Sequence, residues 1–186
     1  MAVQIARHRF TVDDYYKMVE NGVLTEDSRV ELIDGEIVDM PPIGSGHASS
    51  VDRTGDRLRS ILGEGPLVRT QQPLRLRPRS EPQPDLAVVR RRDDYYASAH
   101  PTPADVLLLV EVAESSLTYD RETKGSLYAH AGIAEYWILN LVDRQLEVFR
   151  QPTEDGYADM SVLVPGDAVQ PLAFPGVSVA VNSLLG

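Results

Sequence analysis

Two carboxylates stand where carboxylates are costly. Glu111 follows the apolar run Leu107-Leu108-Leu109-Val110 and precedes Val112, and Asp85 follows Pro84 and opens Leu86-Ala87-Val88-Val89. An acid inside a strand covered on both faces carries a large desolvation penalty unless it is paired or holds a cation. If the two strands are neighbours, Asp85 and Glu111 converge on one divalent ion. An all-oxygen ligand set suits magnesium or manganese. Such an ion polarises a phosphoryl oxygen and activates its bound water. Lys124, in the next segment, can orient that water or offset charge on a phosphorane. Each residue alone also fits a structural part. Glu111 can be solvated or arginine-paired at a sheet end, Asp85 can be a strand-entry turn residue, and Lys124 can be a surface partner of Asp120 at i,i+4.

The elements that must position these groups read as follows. Phe10 to Asn21 predicts a helix capped by Thr11, with Tyr15, Met18 and Val19 on one face and Gly22 as its stop. Residues 29–40 alternate on both sides of Asp34-Gly35, a strong hairpin signal. Ser45 to Leu62 predicts a second helix. Leu67 to Leu76 reads as a bent strand or strand pair interrupted at Pro73, and Ser80 to Gln83 as a turn. Asp85–Val89 and Val106–Ala113 read as buried strands separated by a polar loop. A helix is expected from Thr118 or Asp120 to Ala131, then strands over Glu135–Leu141 and Gln145–Gln151. Short strands follow between Tyr157 and Val181. The order predicts one domain over residues 1–186, an α/β (α+β) fold with a mixed central sheet flanked by helices.

Bulk properties narrow the classes. At 186 residues, 42% hydrophobic and 25% charged, the chain suits one globular core rather than a disordered or fibrous one. No apolar run is long enough to span a membrane, and MAVQIARHRF lacks a signal core, so a cytoplasmic location is expected by elimination. The absence of cysteine removes disulfides, thiolate metal sites and thiol nucleophiles. A formal charge of −10 is awkward for backbone binding to nucleic acid but suits a cation site.

Four segments carry a resemblance to a known family. They are VELIDGEIVDMPPIGSGH (30–47), EPQPDLAVV (81–89), LLLVEVAESSLTYDRETKGSLYAHAGIAEYWILN (107–140) and LEVFR (146–150). The chain resembles the PD-(D/E)XK nuclease superfamily and, more closely, the Uma family of restriction endonucleases, a domain of unknown function. The resemblance implies a restriction-endonuclease-like fold and a magnesium- or manganese-dependent endonuclease hydrolysing DNA phosphodiester bonds. It makes Asp85 and Glu111 the metal-binding acids. The usual lysine two residues after the second acid is replaced by Ala113, and Lys124 matches a family variant in which the lysine sits on the next helix. Glu31 and His47 also match family positions. Glu31 becomes a candidate further catalytic and metal ligand, or else an outward-facing hairpin residue. His47 is a candidate for phosphate contact or proton transfer, or else a helix-end histidine. Cleavage of both DNA strands would favour a homodimer. The alternative function is a catalytically inactive binding or interaction module on the same fold.

Other features read as structural. Glu114 and Asp120 are expected as cap or surface residues. Arg75, Arg77 and Arg79 would share one strand face, and with Arg90, Arg91 and Arg92 form the basic concentrations of the chain. Tyr136 and Trp137 are expected in the core or an interface.

Overall fold

The computed structural model describes residues 7–25 and 27–186, which leaves most of the signal-core reading outside it. Helix α1 (Val12–Glu20) starts at Thr11, whose hydroxyl accepts from the Asp14 amide while Asp14 reaches back to the Thr11 amide. The hairpin of β1 (Val30–Ile33) and β2 (Glu36–Asp39) turns at Asp34 (φ 47°) and Gly35 (φ 79°). Two successive left-handed residues define the tight turn that the Asp-Gly pair predicts. A Cβ at Gly35 would lie 2.8 Å from Arg9 Cβ and 2.9 Å from the Phe10 carbonyl oxygen. Gly35→Ala is therefore expected to cost about 1–3 kcal/mol through strain and crowding, measured by urea unfolding.

After helix α2 (Ser45–Leu62), six strands form the main sheet: β3 (Pro66–Thr70), β4 (Leu86–Arg90), β5 (Val106–Ala113), β6 (Glu135–Asn140), β7 (Gln145–Thr153) and β8 (Gly156–Leu163). They lie in chain order and are antiparallel except for the central β5–β6 pair. A parallel pair needs a crossover. Here it is helical: α3 (Leu117–Tyr119), a wide π-helical turn at Asp120–Lys124, and α4 (Gly125–His130). A two-stranded pair, β9 (Ala168–Val169) with β10 (Val179–Ala180), and α5 (Asn182–Leu185) complete the fold.

Alternation along β4 and β5 divides the core in two. Leu86, Val88, Leu108, Val110 and Val112 pack under α2 and α5, together with Trp137. Ala87, Val89, Leu109 and Ala113 face the other way, onto Ile33, Leu127, Tyr128 and Tyr136. Tyr136 and Trp137 are thus core residues. By parity Asp85 and Glu111 both belong to the second face, beneath the crossover and the hairpin.

Two expected elements differ. The turn expected over Ser80 to Gln83 lies at Pro78-Arg79, with Ser80 and Glu81 in β-bridges to Arg77 and Leu32. Leu67 to Leu76 is not a bent strand: β3 ends at Thr70, Gln71 turns with φ 48°, and irregular chain follows through the prolines at 73 and 78. Proline has no amide to give to a ladder. Arg75, Arg77 and Arg79 consequently share no strand face. Arg75 is paired with Glu81 at 2.7 Å, and Arg77 donates to the His130 carbonyl.

Candidate active site

Asp85 and Glu111 meet across the β4–β5 ladder. Leu86 pairs with Val110, so one step further sets Asp85 opposite Glu111. Each acid is held by the other's strand. The Asp85 amide donates to Glu111 Oε2 at 3.1 Å, and the Val112 amide donates to Asp85 Oδ2 at 2.9 Å.

The crossover leaves β5 just beyond Glu111 and returns its basic group to it. Lys124 Nζ donates to Glu111 Oε1 at 3.0 Å and lies 3.8 Å from Glu31 Oε2. Lys124 is 7% exposed, so it is not a surface partner of Asp120. Asp120 is 2% exposed, accepts from Ser116 Oγ at 2.6 Å and lines the same cavity, which corrects its expected surface or cap position. The wide turn keeps both residues on the site side, a frequent use of π-turns. Glu114 is exposed at the mouth.

Glu31 is also buried, at 3% exposure, and does not face outward. Its Oε2 accepts from the Gln83 amide at 3.1 Å, and Tyr119 OH lies 3.5 Å from Oε1. His47, in the first turn of α2, places Nε2 3.0 Å from Asp85 Oδ1, and Gln71 donates to the same oxygen at 3.2 Å. Tyr128 OH donates to Glu111 Oε1 at 2.7 Å. Asp120, Tyr128 and Gln71 were not singled out as site residues from sequence. The only signal for the first was its i,i+4 spacing to Lys124. Glu31, His47, Gln71, Asp85, Glu111, Asp120 and Lys124 line a cavity of about 390 Å³, with Tyr128 behind Glu111.

Residues 12–182 match the model of the Uma2 family, described as "putative restriction endonuclease". The chain belongs to the Uma2 family. A solved structure described as "a putative nuclease belonging to DUF820" from Anabaena variabilis ATCC 29413 has the same fold. It is 17% identical, with a TM-score of 0.74 over 95% of this chain and 97% of that one. No curated protein matches. No described helix is long and apolar enough to cross a membrane.

Charge is concentrated in this Uma2 site. Burial pushes the Glu111 carboxyl up to about 8 against the pull of Lys124, and the Asp85 and Asp120 charges add to the rise. Burial raises Asp120 as well. Burial alone would lower Lys124, but Glu111, Glu31 and Asp120 hold its ammonium charged beyond the usual lysine range. Burial would also raise Asp85. His47, the Val112 amide and Gln71 outweigh it and keep Asp85 below its ordinary value. The hydrogen bond to Asp85 raises His47.

Because burial holds the Glu111 carboxyl above its ordinary value, cation binding is coupled to loss of its proton. Magnesium affinity is expected to rise with pH and to level off once Glu111 is ionised. Calorimetric titrations in two buffers of different ionisation enthalpy, at pH 7, should show proton release on binding.

Proposed function

We propose that the chain is a divalent-metal-dependent nuclease hydrolysing DNA phosphodiester bonds. The observation that carries this reading is the reciprocal pairing of Asp85 and Glu111 at the ends of adjacent strands, with Lys124 Nζ 3.0 Å from Glu111.

The donor chemistry fits magnesium or manganese. Among the described residues, no three His, Asp or Glu side chains stand ready as a metal cage. Each carboxylate nevertheless keeps one lightly used oxygen. Glu111 Oε1 accepts from Lys124 and Tyr128, whereas Oε2 accepts only from the Asp85 amide. Asp85 Oδ1 accepts from Gln71 and contacts His47, whereas Oδ2 accepts only from the Val112 amide. A carboxylate oxygen has two lone pairs, so Oε2 and Oδ2 each retain one for a cation. Glu31 supplies a further carboxylate in the same cavity. When bound, the ion acts as a Lewis acid on the phosphate and lowers the pKa of its water.

The protein's own groups do the rest. The Lys124 ammonium faces the acids, placed to orient the attacking water and to offset negative charge as it builds. His47 is positioned to pass a proton or to contact phosphate. Nicking of supercoiled plasmid by purified protein in magnesium or manganese, abolished by EDTA, tests the reading. A protein inert with both metals on all DNA forms would end it.

A further inference from the structure

The mouth of the cavity differs chemically from its floor. The floor is carboxylate, with Glu31, Asp85, Glu111 and Asp120 each no more than 8% exposed. The mouth carries exposed apolar residues, Pro41, Pro42 and Ile43, the last 38% exposed, in the segment joining β2 to α2, beside two exposed acids, Asp39 and Glu114. Arg29, at the entrance to β1, also lines it, is exposed, and forms no ion pair among the described residues. The cavity's other cationic groups are engaged: Lys124 with Glu111 and Glu31, His47 with Asp85.

A paired, stacked duplex offers charge and groove edges but keeps its base faces covered. An apolar lip beside a lone arginine therefore suits an unstacked base and its neighbouring phosphate. The recessed acids act in the same direction, because an unpaired strand bends into a cavity more easily than a duplex does. Two arginines of the basic segments are engaged elsewhere, Arg75 with Glu81 and Arg77 with the His130 carbonyl, and the net charge of −10 disfavours duplex binding through phosphate contacts alone.

We propose that this cleft takes an unpaired nucleic-acid strand, Arg29 holding a backbone phosphate and the 41–43 lip packing against a base. The proposal rests on the nuclease reading and narrows its substrate to single-stranded, frayed or bubbled DNA.

Binding tests it separately from cleavage. Fluorescence anisotropy would use the cleavage-impaired Glu111→Gln protein with magnesium and labelled oligonucleotides: a single strand, its full duplex, and a duplex with an unpaired centre. The single strand and bubble are expected to bind at least about tenfold tighter than the duplex. Arg29→Ala should weaken single-strand binding about tenfold and reduce the salt slope by roughly one ion, with Arg29→Lys restoring the slope. Ile43→Ala should weaken it several-fold without changing the slope. Duplex binding equal to or tighter than single-strand binding overturns the proposal. So does unchanged single-strand affinity in both Arg29→Ala and Ile43→Ala, or no binding to any of the three. Plasmid nicking by the parent would leave the nuclease reading standing in each of these cases.

Discussion

Glu111→Gln is expected to lower metal-dependent DNA cleavage about a thousand-fold, the scale on which loss of a pre-positioned electrostatic group acts. The substitution preserves shape and removes one charge. It also has a specific geometric consequence. Glu111 Oε1 accepts from Lys124 and Tyr128, and Oε2 accepts from the Asp85 amide. A glutamine must turn its NH2 either toward the Asp85 amide or toward the Lys124–Tyr128 pair, so at least one pairing is lost in either orientation. When the NH2 faces the Asp85 amide, the oxygen with a spare lone pair is lost as well. Single-turnover cleavage of labelled DNA at saturating magnesium, with circular dichroism to confirm the fold, measures the effect. Activity within tenfold of the parent would remove Glu111 from the chemistry.

Lys124→Met carries the largest expected effect on stability. Its ammonium is buried among Glu31, Glu111 and Asp120. Removing it leaves buried carboxylates without their counter-charge, a change that typically costs about 3–5 kcal/mol. The sign with pH follows from protonation. Glu111, already held up to about 8 in the folded chain, rises further when the ammonium is removed. An acid whose folded value exceeds its unfolded one takes up a proton on folding, so stability is kept at low pH and lost as pH rises toward that folded value. The Glu111 part of the deficit should therefore be small through pH 7 and grow as pH rises past about 8, where the carboxyl ionises beside Lys124 in the parent but stays protonated in the variant. Millimolar magnesium should recover part of it, because a bound cation replaces the missing positive charge. Urea unfolding at pH 5, 7 and 9, with and without magnesium, checks all three points. A deficit independent of both pH and metal would mean that Lys124 acts only through packing.

The tyrosines show how packing serves the site. Tyr128 is fully buried and sits edge-on to Tyr136 with centroids 5.0 Å apart. Its hydroxyl reaches Glu111, while the Tyr136 hydroxyl donates to the Asp120 carbonyl at 3.1 Å. One aromatic pair thus braces both the acid on β5 and the wide turn that carries Asp120 and Lys124.

Much of the local structure was legible in the residues. Asp34-Gly35 specified its hairpin because few residues tolerate two successive left-handed conformations. The apolar runs around Asp85 and Glu111 marked buried strands, and an acid in such a run is costly enough to be informative by itself. What sequence pattern left open was partnership. Glu31 and His47 each had a structural explanation as good as a functional one, and Asp120 read as a surface residue, because periodicity reports which face a residue occupies within its own element and nothing about the element opposite. The alternation of Arg75, Arg77 and Arg79 likewise described a strand that Pro73 and Pro78 prevent. The register of β4 on β5, the helical crossover demanded by the parallel β5–β6 pair, and the seating of the hairpin against it bring residues 31, 47, 85, 111, 120 and 124 into one cavity. Local residue types determined which groups could do chemistry. Their assembly is a property of long-range packing, in which hydrophobic burial selects the arrangement of strands and the acids are carried to wherever those strands end.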